Sequence, residues 1–184
     1  EVQIKTFSMN ATEISELYEE YNHPVSPDWI YDTDADVLSV SVSDDGEYIV
    51  AGNINYVYLF DKENRTPLWK HDIGVRAYAV DMSSGGEYIV AGSDSDRVYL
   101  FAKNSSTPLW THNTGGDVRA IAISSDGNYI AAAGQANKVF LYGKNSSTPL
   151  WSYDAHYTVH SVSVSADGEY IAAADDDGIH LFDK

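Results

Sequence analysis

KNSSTPLW occupies Lys103–Trp110 and returns unchanged at Lys144–Trp151, and a shortened copy, ENRTPLW, spans Glu63–Trp69. Trp69, Trp110 and Trp151 stand forty-one residues apart, and Trp29, in SPDW, stands forty before the first of them. Two further markers keep step. Gly46, Gly86, Gly127 and Gly168 lie in DDGEYIVAG, SGGEYIVAG, SDGNYIAAA and ADGEYIAAA, and VYLF, VYLF, VFLY and IHLF begin at Val57, Val98, Val139 and Ile179. Three markers in register over four copies establish an internal repeat, and a period in this range signals stacked supersecondary units.

Within one period the apolar residues alternate or run in short stretches bounded by turn residues. VLSVSVS (Val37–Ser43) alternates; DDG turns the chain, because glycine accepts positive φ and Asp bonds its own backbone. EYIVAG forms a second strand and VYLFDK a third, rich in β-branched and aromatic residues. After ENRT or NSST, PLWKHD supplies a fourth, with Pro at its start where a missing N–H costs least. Four short antiparallel strands every forty or so residues make a propeller blade, which must stack on neighbours to bury both faces. The expected fold is therefore all-β: a β-propeller of four blades of about 41 residues each. These cover 37–73, 75–114, 117–155 and 158–184, within a repeat region of 26–184. Ser39/Ser41, Ala77/Ala79, Ala120/Ala122 and Ser161/Ser163 keep the innermost strands slim where blades converge, and the 14 Tyr and 4 Trp fill the wider rim.

The last copy stops after its third strand, and 26–35, around Trp29, reads as a fourth strand with no first three before it. The two deficits match. The N-terminal strand is expected to complete the last blade, in the same chain as a four-bladed ring or in a partner chain as an eight-bladed pair or longer assembly; the third reading is that the chain is part of a longer array. Slim inner faces suit closely spaced blades and the larger count. Residues 1–25 form an extension outside the repeat. EVQIKTFS suits a strand, and NATEISELYEEYNHP a short helix capped by Thr12.

VRAIAISSDGNYIAAAGQANKVFLY (Val118–Tyr142) resembles the WD-repeat pattern, with its Trp-Asp pair degenerate at Phe60-Asp61, Phe101-Ala102, Tyr142-Gly143 and Phe182-Asp183. LFDKENRTPLWKHDIG (Leu59–Gly74) resembles the repeat of quinoprotein (PQQ) propellers, whose Trp corresponds to Trp29, Trp69, Trp110 and Trp151. Such hybrid repeats are similar to those of archaeal and bacterial cell-surface propeller proteins. The resemblance implies a fold and leaves function open, because propellers carry many unrelated activities. In the quinoprotein family the quinone sits against Trp with vicinal Cys and calcium; this chain has no Cys.

Asp and Glu number 28 against 11 Lys and Arg, a formal net charge of −17. That field repels phosphate backbones and anionic lipid surfaces, which argues against nucleic acid and membrane headgroups as partners. The lack of cysteine rules out disulfides, thiolate metal sites and a Cys nucleophile. No apolar run reaches the roughly 18 residues of a membrane span.

No catalytic motif or phosphate-cradling loop is read in the sequence. Asp32, Asp34 and Asp36, in DTDAD, form a weak calcium candidate with alternating carboxylates but no distal Glu; a solvated acidic turn is the competing reading. His71 and His112 share a position with Tyr31 and Tyr153, which marks a structural site. Asn10, Asn64, Asn104 and Asn145 open Asn-x-Ser/Thr signals, the last three in the same turn of successive copies. The expectation is a non-catalytic interaction or structural module at a cell surface, without a cofactor. It would bear N-linked glycans and bind protein partners or itself, assembling by strand exchange into an oligomer or filament. The alternatives are a quinoprotein domain and an intracellular scaffold.

Overall fold

The computed structural model describes residues 11–12 and 26–184. The strand expected over EVQIKTFS and most of the helix expected after it lie outside the described residues, as do Asn10 and His23; Ala11 and Thr12 are helical. The chain divides into two compact units, Glu1–Ile30 and Tyr31–Lys184.

The second unit holds fifteen strands in four antiparallel sheets, each a simple meander. The first sheet is β1 (Val37–Val42), β2 (Tyr48–Asn53), β3 (Tyr56–Asp61) and β4 (Trp69–Asp72). The second is β5 (Ala77–Met82), β6 (Tyr88–Ser93), β7 (Arg97–Ala102) and β8 (Trp110–Asn113). The third is β9 (Val118–Ile123), β10 (Tyr129–Gly134), β11 (Lys138–Gly143) and β12 (Trp151–Asp154). The last has three strands, β13 (Ser161–Val164), β14 (Tyr170–Asp175) and β15 (Gly178–Asp183). The first strands β1, β5, β9 and β13 pack side by side in that order, so successive sheets fan as propeller blades.

The first hairpin of every blade is closed by one motif. In the third blade Gly127 N–H donates to Ser124 O (2.8 Å) at φ +72°, which glycine alone adopts freely. Ser124 Oγ donates to Asp126 Oδ1 (2.6 Å) and accepts from Tyr129 N–H (3.1 Å). Ser43 and Ser165 repeat this network with Asp45 and Asp167, and Ser83 accepts from Tyr88 N–H without an Asp. The serine hydroxyl holds Asp45, Asp126 and Asp167 below the usual carboxylate range. Ser124 is fully buried. Ser124→Ala strands a buried N–H, and is expected to cost about 1–3 kcal/mol in a denaturant melt.

The interior is built between blades, not within them. Val50, Val57 and Leu59 of the first blade pack on Val80 and Met82 of the second; Val90, Val98 and Leu100 of the second pack on Ile121 and Ile123 of the third. Ala131 and Leu141 meet Ile171, Val162 and Val164 of the last. Burial pushes the Tyr142 phenol well up, and its hydroxyl finds no partner among the described residues, where the other copies have Phe60, Phe101 and Phe182. Tyr142→Phe is expected to stabilise the fold by about 1 kcal/mol, read as a higher Tm.

The N-terminal strand does not complete the last blade within this chain. Residues 26–36 form no strand, and among the described residues β15 pairs only with β14. β1 packs on β5, and β13 on β9 and β10; Val40 and Val42 of the first sheet and Ile179 and Leu181 of the last are exposed.

Candidate interaction surface

Each joint between blades repeats four contacts, and together they define what the end faces lack. The first is the apolar packing just described. The second is a backbone bond from turn to turn: Asp44 N–H to Ser84 O (2.9 Å), Ser84 N–H to Ser125 O (3.0 Å) and Ser125 N–H to Ala166 O (3.1 Å). In the third, the Tyr opening the second strand of one blade lies over the turn glycine of the next. A Cβ on Gly86, Gly127 or Gly168 would come within 2.9, 2.5 or 2.3 Å of Tyr48, Tyr88 or Tyr129. Lys103, Lys144 and Lys184 cap those rings from the following blade at 4.5, 5.0 and 4.4 Å.

The fourth contact comes from the outermost strand. Trp69 Nε1 donates to Lys103 O (2.7 Å) and Trp110 Nε1 to Lys144 O (2.8 Å). The Trp rings lie against Phe101, Tyr142 and Phe182 with centroids 5.3–5.4 Å apart. Two residues along, His71 sits edge-on to Phe101 (5.1 Å) and His112 against Tyr142 (5.3 Å), while Tyr153 packs on Phe182 (5.0 Å). Tyr31 meets Phe60 in the same way (5.2 Å, edge-on) and also Tyr58 (5.8 Å). Tyr31 therefore holds the place of an outer-strand residue of a blade standing before the first.

At the two ends these contacts are left half made. Val40 and Val42 of β1 are 63% and 55% exposed, where their counterparts Val80 and Met82 are each 6% exposed. Ile179 and Leu181 of β15 are 85% and 70% exposed, where Val98 and Leu100 are fully buried. A shallow groove of about 140 Å³ runs over the last sheet between Ser161, Ser163, Ala172, Ala174 and Ile179. Apolar faces of this kind mark interaction sites.

Asp32, Asp34 and Asp36, the calcium candidate, lie in an exposed turn. Asp32 Oδ1 accepts from Asp34 N–H (2.9 Å) in a turn that places Asp34 at φ +55°, and all three carboxylates are exposed. Among the described residues no three His, Asp or Glu side chains gather as a metal-binding group. Asn64, Asn104 and Asn145 are exposed in corresponding turns before the fourth strand, and Leu68, Leu109 and Leu150 stand exposed beside them.

The PQQ_2 family model, described as outer membrane protein assembly factor BamB, matches residues 94–184. A chain of the mitotic checkpoint complex crystal structure superposes at TM-score 0.73 with 23% identity, over 83% of this chain and 51% of that one. The computationally designed Ika4 protein superposes at TM-score 0.74 with 13% identity, over 88% of this chain and 99% of that one. At such identities the likeness is of fold alone, and this chain spans about half the length of the first. No curated protein matches the sequence. The repeats are PQQ-like, WD-repeat-like propeller blades.

Two features of this propeller's joints escape a strand-by-strand reading of the sequence. One is the Ser that organises each turn, buried in the first three blades; the other is the Tyr laid over the next blade's glycine at each joint. Both signals were present, since Ser and Tyr stand at the same two positions in all four copies. A third, Asp81, has no counterpart. Its carboxylate accepts from Ser41 Oγ in the blade before (3.0 Å) and from Ile123 N–H in the blade after (3.0 Å). Burial lifts it above the usual carboxylate range, against the pull of those hydrogen bonds. It fastens three innermost strands where the other copies carry Ser41, Ala122 and Ser163.

Proposed function

We propose that this chain is a non-catalytic propeller module, working at a cell surface as an interaction or structural unit and assembling through its end blades. The observation that carries the reading is the pair of apolar faces left open at β1 and β15, each the match of a face buried at every inner joint. The exposed Asn64, Asn104 and Asn145, one on each of three corresponding turns, favour an extracellular setting with N-linked glycans. Among the described residues no helix is long and apolar enough to cross a membrane.

The quinoprotein reading draws on the matched family model. Against it, Trp69, Trp110 and Trp151 lie on the outer strands with aromatic rings of the next blade packed on them. The deciding experiment adds the quinone with calcium and follows absorbance and Tm, alongside the intact mass of natively produced protein. The expected result is no quinone uptake and an intact mass that falls to that of the bare polypeptide on enzymatic removal of N-linked glycans. Stoichiometric quinone binding overturns the non-catalytic role, and a mass unchanged by that treatment overturns the extracellular one.

A further inference from the structure

We propose that the open faces are covered by a second copy of this chain, so that two chains close one eight-bladed ring through two identical joints. The inference rests on the interaction-module reading above and names its partner. Its ground is that every half-made contact at one end has its complement at the other. Ala166 N–H donates to no described group, and Asp44 O accepts from none; together they form the next rung of the turn-to-turn ladder. Tyr170 is 52% exposed and Gly46 has nothing within 4 Å of its would-be Cβ, whereas Tyr48, Tyr88 and Tyr129 each cover the glycine of the following blade. Ile179 and Leu181 offer the face that Val40 and Val42 require. A partner of unrelated sequence would have to supply all three complements afresh; a second copy carries them by construction.

The missing strand follows the same logic. β3 pairs with β4 through Val57 opposite His71, β7 with β8 through Val98 opposite His112, and β11 with β12 through Val139 opposite Tyr153. Continuing the register sets Ile179 opposite Tyr31 of the second copy, and Leu181 opposite its Trp29. The exchanged strand removes the exposed edge of β15. Head-to-tail joints of this kind form a ring when the rotation closes and a filament when it does not. A closed ring of copies of residues 26–184 holds a multiple of the four blades described. One chain leaves its faces open, and propellers typically have 4–8 blades, so the closing number is two chains.

The test takes the whole 184-residue chain. Sedimentation equilibrium at physiological and raised salt is expected to return twice 20.3 kDa, with salt favouring the pair because each copy carries a formal charge of −17. Val40→Asp and Leu181→Asp are each expected to weaken association at least 100-fold while the strand-type circular dichroism persists. Because the chain lacks cysteine, the Tyr31→Cys/Ile179→Cys variant reports the register directly. Oxidation is expected to yield a disulfide-linked dimer on a denaturing gel. A folded monomer at every concentration overturns the proposal, as does a mass that climbs past two copies. A cross-link confined within single chains, or none, overturns the strand exchange. None of these outcomes touches the quinone and glycan measurements that decide the broader role.

Discussion

Trp110→Ala lowers the stability of the chain by about 3 kcal/mol, toward the lower end for losing a large aromatic because the residue is only half-buried. Two losses combine. The indole packs on Tyr142 and on the apolar cluster between the second and third blades, and its Nε1–H donates to Lys144 O of the third blade. For a chain of this length the expected fall in Tm is roughly 6–12 °C. Trp110→Phe separates the terms. It keeps an aromatic ring at the joint and gives up the hydrogen bond, with an expected loss of about 1 kcal/mol. Thermal melts of the two variants against the parent check the split. Equal losses would mean that the hydrogen bond, and not the ring, holds the joint.

Gly127→Ala is expected to cost about 3 kcal/mol from two sources. A side chain at φ +72° is strained by about 1–2 kcal/mol, and the new methyl would lie 2.5 Å from Tyr88 of the preceding blade. Gly46→Ala is the internal control. Gly46 has the same φ of +72°, yet no atom lies within 4 Å of the added methyl, so a single chain should lose only the strain term. Denaturant melts of both, taken where the protein is monomeric, are expected to differ by about 1–2 kcal/mol, the overpacking share. Matching losses would show that backbone strain alone governs the turn.

The acid network in those turns illustrates how a repeat writes its own packing rule. Ser43, Ser83, Ser124 and Ser165 are spaced with the glycines, and each takes the N–H of the Tyr five residues on. Only three copies carry the Asp that the serine hydroxyl reaches; Gly85 replaces it in the second, and the turn still closes through Gly86 N–H to Ser83 O. The serine and glycine are therefore the invariant parts, and the Asp adds to a turn that forms without it.

The strand content and the four-fold repeat were legible in the sequence. They follow from local rules: alternation sets which residues share a face, turn residues set where the chain reverses, and the period reports that each unit repeats one packing problem. β1 to β15 accordingly fall where the markers place them, within a residue or two. Whether 26–35 pairs with β15 was not legible. That pairing depends on the angle through which each blade turns from its neighbour, and the angle arises from packing such as Tyr88 on Gly127 and Val80 on Val57, spread along the whole joint. Local pattern carries no record of that sum. Likewise the sequence shows Tyr31, His71, His112 and Tyr153 at one position, but only the tertiary structure shows that each rests on the aromatic third strand of the next blade. There Tyr31 holds the place on Phe60 that His71, His112 and Tyr153 hold on the third strands that follow them.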